Sequence, residues 1–240
     1  MKGYINSIET MGLVDGPGIR VVVFLQGCPL RCIFCHNPET WIKSDTLIMD
    51  SEELVRRIYK YKNYFDDNGG VTFSGGEPLF QPEFLLETLR LCKKMGIHTC
   101  LDTSGFGDNY DEILKYTDLI LFDVKAIESN KYFEITGNKI DKSLKFLRKC
   151  QEMNKSIWIR QVIIPGINDD ENYINELANF IKPLKNIKKI ELLPYHIYGV
   201  EKYKKLGIPY KLDDVPQMDE KKCENLYKKL LEKLKKDEKY

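Results

Sequence analysis

A chain of 240 residues that is 42% hydrophobic can bury a full core and fits one domain, here residues 1–240. Its 37 basic and 36 acidic side chains leave a net charge of +1, so no overall field favours nucleic acid, and no apolar run approaches the roughly 18 residues of a membrane span. Met1–Ser7 lacks the apolar centre of a signal peptide and the seven cysteines are an odd number, so the expectation is a cytosolic monomer without a disulfide scaffold or a membrane contact.

Residues 1–19 read as an N-terminal extension with a possible first strand, closing on the stiff turn Asp15-Gly16-Pro17-Gly18. The apolar run 20–26 reads as a buried strand and leads into Cys28, Cys32 and Cys35, spaced C-x3-C-x2-C. A helix is expected from Ser51 to about residue 66, stopped by Asn68-Gly69-Gly70. Strands are then expected at 71–74, 97–101, 119–122, 156–163 and 189–193. Helices are expected between them at 81–95, 110–116, 140–154 and 170–181, with a last amphipathic helix at 219–234. Six strand–helix alternations with short, β-branched strands predict an α/β fold. In it a parallel sheet carries its helices outside, open or partly closed into a barrel. Such sheets bind ligands at the C-terminal rim of the strands.

The polar signals fall on that rim. Three thiolates in one loop can grip three corners of a [4Fe–4S] cluster, leaving one iron for a ligand that is not protein. Gly75-Gly76-Glu77, Asp102-Thr103, Asp123-Val124-Lys125 and His196 each follow an apolar strand directly. Taken singly, Gly-Gly-Glu also reads as a turn, Asp-x-Lys as a surface pair, His196 as a structural histidine and Asp15 as a turn aspartate. Together they suit one small molecule. Gly75 and Gly76 let backbone approach closely, Glu77 can accept from an ammonium, and Lys125 can meet a carboxylate. Asp102 and Asp123 can receive ribose hydroxyls or, with Thr103, hold a cation through oxygen. His196 and Phe34 can stack on a base. An ammonium, a carboxylate, a ribose and a purine describe S-adenosylmethionine. Asp15 is expected near the cluster mouth. Cys92, Cys100, Cys150 and Cys223 stand singly and read as core residues. The lysine-rich C-terminal stretch reads as a solvated face or as a dock for an acidic electron carrier.

C-x3-C-x2-C followed by Gly75-Gly76-Glu77-Pro78 resembles the radical S-adenosylmethionine superfamily. Asp15-Gly16-Pro17-Gly18-Ile19-Arg20, Cys35-His36-Asn37-Pro38, Thr99-Cys100-Leu101-Asp102-Thr103 and Leu193-Pro194-Tyr195-His196 narrow the resemblance to activators of glycyl-radical enzymes, the pyruvate formate-lyase activating group. That resemblance implies a partial (β/α)6 barrel and Cys28, Cys32 and Cys35 as cluster ligands. It places Phe34, Cys35, His36, Gly76, Asp123, Val124, Lys125 and His196 around S-adenosylmethionine. It implies a monovalent cation at Asp102, Thr103 and Asp123, and a substrate peptide near Asp15, His36 and Arg160. It implies reductive cleavage of S-adenosylmethionine to a 5′-deoxyadenosyl radical that takes a hydrogen from a glycine Cα of pyruvate formate-lyase, with reduced flavodoxin or a similar protein as electron donor. The alternatives are an activator of another glycyl-radical enzyme, or a structural zinc protein using the same cysteines with His36. About forty residues without a cysteine separate Cys35 from Gly75, which favours the single-cluster type.

Overall fold

The structure is a computed structural model that describes residues 1–44 and 47–235. The chain runs β1 (Lys2–Gly12), β2 (Arg20–Leu25), β3 (Ile48–Asp50), α1 (Ser51–Tyr59), β4 (Gly70–Gly75), α2 (Pro82–Lys94), β5 (His98–Thr103), α3 (Asp111–Lys115) and β6 (Leu119–Val124). It continues with α4 (Ser129–Thr136), α5 (Asp141–Glu152), β7 (Ser156–Ile163), α6 (Glu171–Ile181), β8 (Ile187–Pro194), α7 (Val200–Leu206) and α8 (Glu220–Lys235). The strand order is β3-β1-β2-β4-β5-β6-β7-β8, so the sheet is unclosed. From β2 to β8 the six strands are parallel, the (β/α)6 arrangement expected. The possible first strand expected within the N-terminal extension is β1, which pairs antiparallel with β2 and β3. The sequence reading missed β3, α4 and α7, and its first helix is shorter than expected, ending at Tyr59.

Period-two alternation divides each strand between two environments. Val21, Val23 and Leu25, Val71 and Phe73, Ile120 and Phe122, and Ile157 and Ile159 point one way and join the helices in the main core. The opposite face carries Arg20, Ser74, Asp102, Asp123 and Arg160, above a small apolar group of Cys100, Leu119 and Leu121 packed on Trp158. Cys92, Cys100, Cys150 and Cys223 are buried, each as a free thiol.

Arg20 anchors the start of the sheet. It is 0% exposed; its Nε donates to Thr72 Oγ1 at 2.6 Å and its Nη2 to the Val71 carbonyl at 2.6 Å. Its Nη1 reaches the Pro17 carbonyl at 3.0 Å, and the Thr72 hydroxyl donates to the Asp15 carbonyl at 2.6 Å. These bonds tie the 13–19 loop across the polar face. They bring the Asp15 carbonyl beside β4, with the Asp15 carboxyl within electrostatic reach of Arg160, Arg20 and Glu191. The turn enters β2 from the end opposite the one where the cysteines leave it.

The β5–β6 connection is locked by Asp118, whose carboxylate accepts from Thr99 N–H at 2.9 Å and from Lys93 Nζ at 2.7 Å. Burial pushes this carboxyl up, but the Lys93 and Thr99 hydrogen bonds outweigh it and hold the pKa below the usual 3.8.

Replacing Arg20 by Met leaves several buried acceptors unmet and is expected to lower stability by about 3 kcal/mol, read as the shift in the urea unfolding midpoint. Asp118→Asn is expected to lose about 1 kcal/mol at neutral pH. The folded pKa is depressed, so the wild-type advantage is present above the unfolded aspartate value of about 3.9 and vanishes as pH falls through the folded value. Urea midpoints of both proteins from pH 7 downward check the convergence.

Candidate active site at the strand ends

The cysteine loop is braced from three sides. From α4, the Thr136 carbonyl accepts Arg31 N–H at 2.8 Å and the Ile135 carbonyl accepts Ile33 N–H at 2.9 Å, so the two residues flanking Cys32 hang on one helix end. Asn138 Nδ2 donates to the Pro29 carbonyl at 3.0 Å. From α7, Tyr203 Oη donates to the Cys35 carbonyl at 3.0 Å, and Lys202 Nζ holds Asn37 Oδ1 at 2.8 Å and Glu39 Oε1 at 2.6 Å. Beneath the loop, a Cβ on Gly75 would overlap the Leu25 backbone and one on Gly76 the Gly27 carbonyl, while Gly75 has φ +107°. The paired glycines thus let β4 end directly against the root of the cysteine loop. That is a packing reason in addition to ligand approach, and both glycines keep accessible surface.

Cys28, Cys32 and Cys35 are free, half-buried thiols. Burial pushes all three up, Cys32 to about 12 despite the Lys125 ammonium nearby. Backbone N–H groups of Leu30 and Asn37 meet the sulfurs of Cys28 and Cys35. Among the described residues no three His, Cys, Asp or Glu side chains converge on a single ion position. A tetrahedral zinc site needs such convergence, whereas each thiolate on a cubane meets a different iron. His36 donates its Nε2–H to the His196 carbonyl at 3.0 Å, and among the described residues it is not gathered with the cysteines into a group that could hold one ion. Three soft donors without a fourth therefore fit an iron–sulfur cluster.

Beside the loop runs a row of alternating charge. Ser74 Oγ donates to Asp102 Oδ2 at 2.6 Å, and Arg160 Nη1 to Asp102 Oδ1 at 3.3 Å. Arg160 Nε stands 3.7 Å from Asp123 Oδ1, and Lys125 Nζ donates to Asp123 Oδ2 at 2.9 Å. Lys125 Nζ lies 5.5 Å from the centre of the Phe34 ring, which returns the row to the cysteine loop. Burial raises Asp102 and the Arg160 charge only partly offsets it; burial likewise raises Asp123, but Lys125 and Arg160 outweigh it and leave its pKa low. Asp102 raises the Arg160 pKa; burial lowers that of Lys125, but Asp123 reverses the effect and raises it.

Across the loop, the His36 and His196 rings meet at a 31° tilt with centroids 4.2 Å apart, and Tyr198 lies against His196 at 4.6 Å. Burial, then the neighbouring ring, lowers the His36 pKa, and burial lowers that of His196, so both are neutral. His196 Nδ1 and Arg160 Nε are buried without a hydrogen-bond partner, two polar atoms at the edge of this site left for a ligand.

Three expectations are corrected. Glu77 is 1% exposed, and its carboxylate accepts from Leu79 N–H at 3.2 Å, Thr103 Oγ1 at 2.5 Å, Ser104 N–H at 3.0 Å and Ser104 Oγ at 2.7 Å. It is a tie between strand ends rather than a receiver of an ammonium. Thr103 alternates with Asp102 and so turns its hydroxyl to Glu77; the side chains of Asp102, Thr103 and Asp123 do not gather around one cation, and the two aspartates share Arg160 instead. Phe34 is 6% exposed and belongs to the core, so its ring does not offer a face to a base. Val124 is buried by the same alternation, leaving only its backbone at the rim. Five lysines of the C-terminal stretch form exposed pairs within the chain, as on a solvated face: Lys202 with Glu39, Lys204 with Glu201, Lys222 with Asp169, Lys228 with Glu224 and Lys229 with Glu171. Sequence reasoning overlooked Ser74, Ser104, Tyr203 and Trp41, whose contacts join residues far apart in the chain.

The family description "Radical SAM superfamily" matches residues 22–180. The chain is 51% identical over 236 residues to the pyruvate formate-lyase-activating enzyme of Clostridium pasteurianum, covering 98% of this chain and 99% of that one. It is similar to a domain of pyruvate-formate lyase-activating enzyme from Bacteroides vulgatus, at 31% identity and TM-score 0.56 over 69% of this chain and 94% of that one. It shares its fold with Streptococcus suis SuiB bound to precursor peptide SuiA, at TM-score 0.67 and 21% identity, over 90% of this chain and 46% of that one. With its three free cysteines braced at the end of β2, the chain belongs to the radical SAM superfamily and, within it, to the pyruvate formate-lyase-activating enzymes.

Proposed function

We propose that the chain activates pyruvate formate-lyase by installing a glycyl radical on it. The observation that carries the reading is the trio Cys28, Cys32 and Cys35, free and held in one loop braced by α4 and α7. Cys28, Cys32 and Cys35 would hold the [4Fe–4S] cluster. Once reduced by the electron donor, the bound cluster would supply the reductive cleavage of S-adenosylmethionine, the chemistry that would furnish a 5′-deoxyadenosyl radical able to take a glycine Cα hydrogen of the partner.

The chain's own residues bind and orient. Lys125 offers an ammonium to a ligand carboxylate; Asp123 offers a carboxylate to hydroxyls or an amine. His36 and His196 offer neutral, closely packed rings beside the loop, with His196 Nδ1 open to a donor. Gly76 and the Val124 backbone complete the wall. Arg160 and Asp15, on the sheet face below, suit a peptide that enters from the open side. The electron donor is a reduced flavodoxin-like protein, and the activator works as a cytosolic monomer. Among the described residues no helix is long and apolar enough to cross a membrane.

The direct test mixes the anaerobically reconstituted, reduced protein with S-adenosylmethionine and pyruvate formate-lyase. A glycyl-radical doublet in electron paramagnetic resonance is expected, and its absence with a full cluster content rejects the partner. Asp15→Lys is expected to lower the radical yield about tenfold, a loss of about 1.4 kcal/mol in peptide binding, while uncoupled cleavage of S-adenosylmethionine stays within about twofold. Glu77→Gln replaces an acceptor-only group with one that must donate among four donors; it is expected to lower stability by about 2 kcal/mol and to leave the affinity for S-adenosylmethionine within about threefold if cluster content is matched. Calorimetric unfolding together with equilibrium binding separates the two effects.

A further inference from the structure

The flank of the cysteine loop around Gly27 and Cys28 carries two exposed cations, each laid over an aromatic ring. The Arg31 guanidinium lies 4.9 Å from the centre of the Trp41 ring, and its Nη1 donates to the carbonyls of Cys28 at 2.6 Å and Leu30 at 2.7 Å. Two residues past Trp41, Lys43 Nζ lies 4.9 Å from the Phe80 ring centre and 5.6 Å from that of Tyr4. The two cations belong to one surface. The Trp41 carbonyl accepts the Cys28 N–H at 3.2 Å, and a Cβ on Gly27 would meet the Phe80 ring at 2.6 Å and the Lys43 side chain at 3.1 Å. Ile42, between Trp41 and Lys43, is 73% exposed, and Phe80 is 45% exposed. Among the described residues neither Arg31 nor Lys43 forms an ion pair, and Glu39, two residues before Trp41, is taken by Lys202 at 2.6 Å. The paired lysines of α7 and α8 offer no such free charge.

We propose that this patch, made of Arg31, Trp41, Ile42, Lys43 and Phe80, is the docking surface for the electron donor, an acidic one-electron carrier protein. This rests on the reading of Cys28, Cys32 and Cys35 as cluster ligands. Two unpaired cations beside exposed apolar groups complement a negatively charged surface with an apolar centre. Both cations are already held over rings, so docking costs little side-chain entropy. Position selects the kind of acidic partner. Electron tunnelling weakens steeply with distance, and the patch is one hydrogen bond from Cys28 at two points, the Trp41 carbonyl and Arg31 Nη1. Electron-transfer encounters bury less than about 1,200 Å² in total, so a few side chains suffice. The carrier is oxidised by one electron and the cluster reduced by one; no bond forms or breaks and no proton moves. The patch uses none of the residues placed in the ligand wall, and the charged row meets the loop elsewhere, at Phe34 through Lys125.

The test uses purified flavodoxin as the probe and reads its binding to the anaerobically reconstituted protein by calorimetric titration at low and high salt. Lys43→Glu is expected to weaken binding about tenfold at low salt, and Ile42→Asp to weaken it too, with the gap from wild type shrinking at high salt as the charges are screened. Lys228→Glu makes the same charge change on α8 and is expected to stay within about twofold of wild type. Reduction of the cluster by reduced flavodoxin is expected to slow in step with binding, while reduction by a neutral photoreductant stays at the wild-type rate. Unmoved flavodoxin binding in both Lys43→Glu and Ile42→Asp overturns the proposal, as does an equal loss in Lys228→Glu or the lack of any binding to wild type. A glycyl-radical yield that falls in Lys43→Glu under the neutral photoreductant also overturns it, since the patch then belongs to pyruvate formate-lyase. A wild-type protein that binds flavodoxin through Lys43 but takes up no cluster sinks the ligand assignment instead, a separate outcome.

Discussion

Three thiols confined to the eight residues from Cys28 to Cys35 repel one another once ionised, and burial makes each ionisation harder still. The rest of the architecture bears on that constraint. The loop leaves the end of β2, where parallel neighbours already fix the backbone, and it is tied down by α4 and α7 through carbonyls and N–H groups rather than through the sulfurs. The sulfurs therefore stay available. Binding iron must displace protons from all three, and metal charge is what overcomes the raised pKa values. A site built this way is dormant as a thiol nucleophile and becomes a ligand set only in the presence of the cluster.

The strand alternation gives adjacent residues opposite tasks. Asp102 faces the polar row while Thr103 faces Glu77; Asp123 faces the row while Val124 joins the core. The rim is thereby made of two interlocked layers. The outward layer, Glu77 with Thr103 and Ser104, fixes the ends of β4 and β5 to each other. The inward layer, Ser74, Asp102, Arg160, Asp123 and Lys125, presents charge. Rigidity of the second follows from the first, since neither strand end can shift without breaking buried hydrogen bonds to a carboxylate.

Much of this was legible in the sequence. The apolar runs marked all six parallel strands, and the cysteine spacing marked the loop, because both signals are local. What was not legible depends on register and long-range contact. Glu77 looked like a ligand receiver because its position after a strand says nothing about which way its side chain turns; four donors from three residues settled that. Thr103 was grouped with Asp102 because they are neighbours in sequence, although neighbours in a strand face apart. Helix α7 carries few apolar residues and was passed over, yet Lys202 and Tyr203 reach back more than 160 positions to the segment after the cysteines.

The charged row also bears on how a ligand enters. Two carboxylates, Asp102 and Asp123, face two cations, Arg160 and Lys125, so each charge in the row already has a partner. Under the proposed function, a zwitterionic head group would bring its own carboxylate and ammonium to this row. Its binding there would exchange ion pairs instead of removing lone charges from water, so the desolvation penalty that makes buried charge expensive would largely be avoided. Arg160, within reach of both Asp102 and Asp123, would leave neither carboxylate alone during such an exchange.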